Sequence, residues 1–335
     1  MNSKTKIIAY FRLLRFHAAA TESTFILLGA LLMGLRDIFL LFILFIIGLF
    51  GHIYGYVLNE YVDIELDKKS FELQKKPLVS GVIPKKHALI LIISAFIGAY
   101  VLTFLYFRFL IPFCFLSLAM LFGGIYNVYK NKIHGFSDVF IAGSLAFTFF
   151  FGVSTVTFSF TTIIYIVGLL LFVAIVFVNV VEGGLKDVAH DFLAGRKTLA
   201  IILGVKVTDR QLKLTKKFSA VAWGLIAGCF ALLFLLFMQP ELNVSTYRNF
   251  QSLLLIILSI LVLFIVNKFL HLRVFDRSKI KRFYAVINTL AGVMLFLVIL
   301  PLIGLDSLVI LLVLPVTWYV VFNTLLYGKP LQPDV

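Results

Sequence analysis

Residues 38–67 read IFLLFILFIIGLFGHIYGYVLNEYVDIELD. The run 38–58 holds one imidazole, His52, and no carboxylate, Lys or Arg. Roughly 20 mostly apolar residues let a helix cross about 30 Å of hydrocarbon. The run therefore reads as a transmembrane helix, and 59–67 as its acidic continuation. Working outward, similar runs recur near 16–35, 87–107, 109–128, 136–157, 160–182, 218–238, 251–270, 284–303 and 305–325. Only Gly304-Leu305-Asp306 separates the last two, so nine and ten helices both fit.

The whole composition agrees. Of 335 residues 61% are hydrophobic and 14% charged, against about 25% charged in a typical soluble domain. Mean hydropathy is +1.06. Runs of this length call for helices rather than barrel strands. The expected fold class is an all-α integral membrane bundle of nine or ten helices, a single transmembrane domain over 1–335. The first run is read as a span, not a cleavable signal, because Glu22 interrupts it and a second span follows directly. Cys114 and Cys229 lie inside apolar runs and read as small core residues.

The formal charge of +14 could suggest nucleic acid, but its distribution excludes that partner. With a cytoplasmic N-terminus (the tail 1–15) and ten alternating helices, only Arg36, Arg108 and Arg248 among the Lys and Arg residues fall outside. This is the positive-inside pattern. It predicts a multi-pass protein of the cell membrane whose long charged loops, 59–86 and 183–217, are cytoplasmic. Attraction to anionic headgroups or to a phosphorylated substrate is a second use for the basic excess.

Those two loops follow the second and sixth helices, and both open on acids at matching spacing. The first carries Asn59, Asp63 and Asp67; the second carries Asp187 and Asp191. This predicts a degenerate repeat of a four-helix unit. On a helix, residues four apart differ by only about 40°, so each set forms one stripe. Two converging stripes would make an oxygen-rich, negative mouth. Such donors suit Mg²⁺, which binds through one or two carboxylates and bridges to substrate phosphates.

Cations that a diphosphate would need lie close by in sequence: Lys68, Lys69, Lys75 and Lys76 after the first stripe, Lys186, Arg196 and Lys197 around the second, Lys130 and Lys132 between. Tyr126 and Lys130 are spaced to share a helix face. Ionisable groups inside a bilayer are functional candidates by default. Here these are Glu22, which follows Arg15 by seven residues, and His52, which with Tyr56, Asn59 and Asp63 would line one cavity. Glu22 and His52 are expected at similar depth, either pairing with each other or taking a proton from an acceptor. Asn179 and Asn288 read as interhelical hydrogen bonders.

The segment NEYVDIELDKKSFELQKKPLVSG resembles the first motif of the UbiA superfamily of intramembrane prenyltransferases, N-D-x-x-D-x-x-x-D with a downstream [RK]-P-L-x-S-G. The segment KDVAHDFLAGRKTLAIILG resembles its second motif, D-x-x-x-D followed by G-x-x-T-L-A, through Gly195, Thr198, Leu199 and Ala200. Glu60 stands where the family often has Asp, and Gly183 where it often has Asn. The resemblance implies a UbiA-like bundle that transfers a prenyl group from a polyprenyl diphosphate to a membrane acceptor, with Mg²⁺. It makes Asn59, Asp63, Asp67, Asp187 and Asp191 the metal residues. Asp63, Asp187, Glu22 and His52 are the catalytic candidates, and Asn59, Arg15, Lys68, Tyr126, Lys130, Lys186 and Arg196 the substrate-binding ones. The acceptor is left open among quinone precursors, glycerol-phosphate ether lipids and others, and the implied surroundings are the lipid bilayer.

Two rival classes compete on the residues alone. A divalent-cation transporter would place its acids near the bilayer midplane, whereas these lie at the ends of spans. A membrane lipid-phosphate transferase of the CDP-alcohol class would open on D-G-x-x-A-R, which is absent.

Overall fold

The computed structural model describes residues 3–68, 71–242 and 248–330, with the side chains of 3, 4, 71 and 72 left aside. The elements are α1 (Ser3–Leu13), α2 (Ala19–Leu32), α3 (Ile38–Asp67), α4 (Lys85–Tyr106), α5 (Leu110–Tyr129), α6 (Ser137–Ser154), α7 (Thr162–Phe177), α8 (Gly184–Leu193), α9 (Leu199–Ile202), β1 (Lys206–Thr208), β2 (Gln211–Lys213), α10 (Lys216–Phe237), α11 (Arg248–Leu270) and α12 (Arg277–Tyr327). A π-helical turn, Val178–Gly183, joins α7 to α8.

The all-α membrane reading holds. Among the described residues eight helices are long and apolar enough to cross a membrane, beside a shorter apolar helix at Phe16–Leu32. The last of the eight, α12, has 51 residues. Unbroken it would be about 76 Å long, more than twice the hydrocarbon thickness. It breaks at Gly304, whose φ of 72° and ψ of 167° are not helical. Many outward side chains are apolar: α11 exposes Leu253, Ile256, Ile257, Ile260 and Phe264, a surface that suits lipid and not water.

Two compact units divide the chain. One comprises Met1–Val128, Ser144–Ser159 and Leu305–Val335; the other comprises Tyr129–Gly143 and Phe160–Gly304. In the first unit small residues let helices approach closely, as bilayer packing requires. A Cβ on Gly152 of α6 would collide with the Ile26 carbonyl of α2, and one on Gly48 of α3 with Ser23. Ser23 also donates to the Phe45 carbonyl at 3.0 Å. Leu13, Val57, Ile64, Leu78, Ile83, Ala88 and Ile92 form a buried cluster beside the first acidic motif.

In the second unit α7 packs on α10. A hairpin of β1 and β2 turns through Asp209 and Arg210, both at positive φ, as a two-residue type I′ turn demands. Leu212 N–H donates to the Arg273 carbonyl and Phe275 N–H to the Arg210 carbonyl, each at 2.8 Å. The hairpin is thereby tied to the α11–α12 connection.

Two expectations need correction. The segments read as loops from 59 and from 183 both begin as helix. α3 stays helical through Asp67, because acids four apart are compatible with a helix and no Gly or Pro interrupts 56–67. The sixth span runs on through the π turn to Leu193 despite Gly183-Gly184. The strand pair within 183–217 was not expected in an all-α chain. Cys114 and Cys229 are free, but neither is the core residue expected: Cys114 is exposed and Cys229 half-buried.

Candidate active site

The first acidic motif occupies the last turns of α3, in the first unit. Because that helix does not stop at the end of its apolar run, Asn59, Asp63 and Asp67 fall on one stripe. Asp63 and Asp67 are buried, at 6% and 3% exposure, and so is Glu60 at 6%. Buried carboxylates need compensating charge, and two cations from outside the helix supply it. Arg15 Nη2 donates to Glu60 Oε1 at 2.7 Å. Lys76 Nζ donates to Glu60 Oε1 at 3.1 Å and to Asp67 Oδ2 at 2.8 Å, with Glu60 Oε2 at 3.0 Å. Asn59 donates to Asn127 Oδ1 at 2.8 Å, and Asn127 donates to the Gly55 carbonyl at 3.0 Å.

The backbone explains how both cations arrive. Arg15 sits in the left-handed region, φ 43° and ψ 43°, between α1 and the short turn Phe16–Ala18. That conformation is uncommon for a residue with a Cβ, and here it sends the guanidinium toward Glu60 and over the Tyr56 ring at 5.2 Å. Burial alone would lower the pKa of Arg15, but the Glu60 carboxylate overrides it and the net shift is upward. Lys76 opens the K-P-L-V-S-G run. Leu78 anchors that turn in the buried cluster, Ser80 returns both its N–H and its hydroxyl to the Lys76 carbonyl at 2.9 Å, and Gly81 takes φ 75°. Leu78, Ser80 and Gly81 thus shape the turn that carries Lys76.

Below these acids, His52 is fully buried. Its Nε2 lies 3.0 Å from the Leu14 carbonyl, its Nδ1 lies 3.6 Å from Glu22 Oε1, and its ring packs on Tyr56 at 4.3 Å between centroids. Glu22 and His52 are therefore neighbours, as their expected depth implied. Close by, His17 is buried with its ring edge-on to Tyr319 and Tyr327. Trp318 Nε1 donates to the Phe16 carbonyl at 2.7 Å, so both ends of the chain flank this region.

The second motif lies on α8, in the second unit. Asp187 pairs with Lys186 at 3.2 Å and with Arg277 at 2.9 Å. Asp191, 5% exposed, pairs with Arg196 at 3.2 Å. Gly195, at φ 69°, lets the chain turn back so that the Arg196 N–H also meets the Asp191 carbonyl at 2.9 Å. Thr198 then stands at the N-cap position of α9, and Ala200 is fully buried. Glu182, in the π turn, is fully buried and accepts from Asn288 Nδ2 at 2.8 Å. Asn288 is thus the interhelical bonder expected, whereas Asn179 donates to Ile175 of its own helix at 2.9 Å.

Of the remaining sequence candidates, Lys68 is exposed and pairs with Glu65 at 3.0 Å rather than with the stripe. Tyr126 lies on α5 in the first unit, and Lys130 follows in the turn. Lys69 lies outside the described residues. Glu60, Arg277, Glu182 and Asp138, whose charge repels that of Asp191, were not picked out as site residues. Glu60 could have been, since it directly follows Asn59; the other three carried no motif.

The chain is thus a helical membrane bundle that carries two D-x-x-x-D motifs on helices, each supplied with cations. The chain belongs to the UbiA prenyltransferase family, whose model matches residues 23–287, and it is a multi-pass membrane prenyltransferase. Solved structures agree in fold. Digeranylgeranylglyceryl phosphate synthase is 20% identical, with a TM-score of 0.68 over 90% of this chain and 100% of that one. A UbiA homolog from Aeropyrum pernix K1 is 14% identical, with a TM-score of 0.63 over 84% and 97%. A UbiA homolog from Archaeoglobus fulgidus, bound to DMAPP and Mg²⁺, is 16% identical, with a TM-score of 0.63 over 85% and 98%. No curated protein matches the chain in sequence.

Proposed function

We propose that the protein takes the Mg²⁺ complex of a polyprenyl diphosphate and transfers its prenyl group to an aromatic or hydroxyl-bearing lipid-type acceptor within the membrane, releasing diphosphate. The observation that carries this reading is the Asn59–Asp63–Asp67 stripe on the end of α3, with Asp63 and Asp67 buried, Lys76 on Asp67 and Arg15 on the adjacent Glu60. Its donors are hard oxygens, which fit Mg²⁺. Among the described residues no three His, Cys, Asp or Glu side chains gather to hold a metal unaided. Asn59, Asp63 and Asp67 on the one motif, and Asp187 and Asp191 on the other, would each hold metal only with substrate phosphate oxygens and water completing the set. When bound, Mg²⁺ supplies charge neutralisation for the departing diphosphate.

The chain's own residues do the rest. Arg15, Lys186 and Arg196, with Lys68, Tyr126 and Lys130, bind and orient the diphosphate. The apolar bundle keeps water from the allylic cation. Glu22, beside His52, takes the acceptor's proton. The Lys and Arg asymmetry supports a cytoplasmic position for both acidic motifs. The A. fulgidus homolog bound to DMAPP and Mg²⁺ supports the donor and metal. The test is lipid mass spectrometry of cells without the gene and of cells complemented with wild type or Asp63→Ala. A prenylated lipid should disappear on deletion and return only with wild type; an unchanged lipid profile would refute prenyl transfer.

A further inference from the structure

The Lys76 ammonium meets three carboxylate oxygens, two of Glu60 and one of Asp67, at 2.8–3.1 Å. Its side chain is 16% exposed, and those of Glu60 and Asp67 are 7% and 5%. That is a cation seated in an oxygen cradle, at a residue read above as a metal ligand. Glu60 and Asp67 repel one another when buried together, so some positive charge must stand between them whenever Mg²⁺ is absent.

The two cations of the network are built differently. Arg15 is clamped by a left-handed backbone, the Tyr56 ring and Glu60. Lys76 stands on the turn between α3 and α4 and reaches the acids through a four-carbon stem with free rotation. One of the two can leave without dismantling the helix. Glu60 holds Lys76 independently of Asp67, and its extra methylene relative to Asp gives it the reach to hold Arg15 as well.

We propose that Lys76 is a resident cation that neutralises Asp67 in the empty enzyme, gives it up when Mg²⁺ binds, and then turns to the diphosphate with Glu60 as its pivot. This rests on the reading of Asp67 as a Mg²⁺ ligand. Mg²⁺ and Lys76 then compete for one oxygen, and metal and diphosphate bind with positive coupling, because the ammonium released by the first is available to the second.

The experiment uses the full chain in lipid nanodiscs and reads Mn²⁺, as the probe for Mg²⁺, by paramagnetic resonance with no diphosphate present. Lys76→Met should bind Mn²⁺ about tenfold more tightly than wild type, since one unit charge a few ångströms away is removed. Lys76→Arg should resemble wild type. Unchanged or weaker Mn²⁺ binding in Lys76→Met overturns the proposal. Asp67→Ala separates the two readings: if it leaves Mn²⁺ affinity intact, Asp67 is no ligand and the reading beneath this one fails. If Lys76→Met does not fold, wild type still answers. Acylation of Lys76, read by mass spectrometry, should rise several-fold when Mn²⁺ is added, and an unchanged rate overturns the exchange.

Discussion

The two acidic motifs share a spacing and differ in how their charge is answered. At the first, Asp63, Asp67 and Glu60 are buried and draw on cations brought from outside the helix, Arg15 from before α2 and Lys76 from a built turn. At the second, Asp187 is about a third exposed and has two partners, its neighbour Lys186 and Arg277, while Asp191 uses Arg196 only five residues on. In the first network Glu60 shares Arg15 and Lys76, so losing either cation leaves a buried carboxylate with less compensation and little solvent to replace it. The second has redundancy at Asp187 and water nearby. The same D-x-x-x-D pattern thus supports a tightly set charge cluster in one place and a looser one in the other.

The largest expected effect is on chemistry and does not distinguish the motifs. Asp63→Ala and Asp187→Ala should each lower prenyl transfer by about 10²–10³, the usual cost of losing one contact that stabilises developing charge. A variant that inserts normally and keeps more than about a tenth of wild-type rate would remove that residue from the site. The next effect separates the networks. Arg15→Ala should destabilise the protein by about 1–3 kcal/mol, since it strips a partner from a buried carboxylate. Arg277→Ala should cost less than about 1 kcal/mol, because its own side chain is exposed and Lys186 remains. Thermal denaturation in detergent checks both, and equal shifts would break the contrast. The smallest effect is at Lys68. Its exposed pairing with Glu65 leaves it a peripheral attraction for the diphosphate, so Lys68→Ala should raise the KM for prenyl diphosphate by less than about fivefold.

Hydropathy was the most legible property of the chain. Each apolar run near 20 residues lies on a helix, because in hydrocarbon the backbone has no other local way to satisfy its polar groups. The i, i+4 spacing of Asn59, Asp63 and Asp67 was legible too, and it holds because α3 runs past its apolar part. What pairs with those acids was not. Lys76 and Arg15 reach them through a turn and a left-handed residue, and neither geometry follows from a count of charges. Glu60 was read as a mild departure from a pattern, yet it joins both cations. Glu182 went unread because nothing in V-V-E-G-G announces a π turn, and the hairpin at Lys206–Lys213 because Asp209-Arg210 lacks the glycine that marks such turns.

The central claim is that these acids work through a divalent metal on a prenyl diphosphate. Purified protein in nanodiscs, given labelled geranyl diphosphate and a membrane lipid extract as the acceptor source, tests it directly. Label should pass into a lipid product with Mg²⁺, fall by at least about a hundredfold in excess EDTA, and recover when Mg²⁺ is restored. Transfer that continues at full rate in excess EDTA would contradict the account.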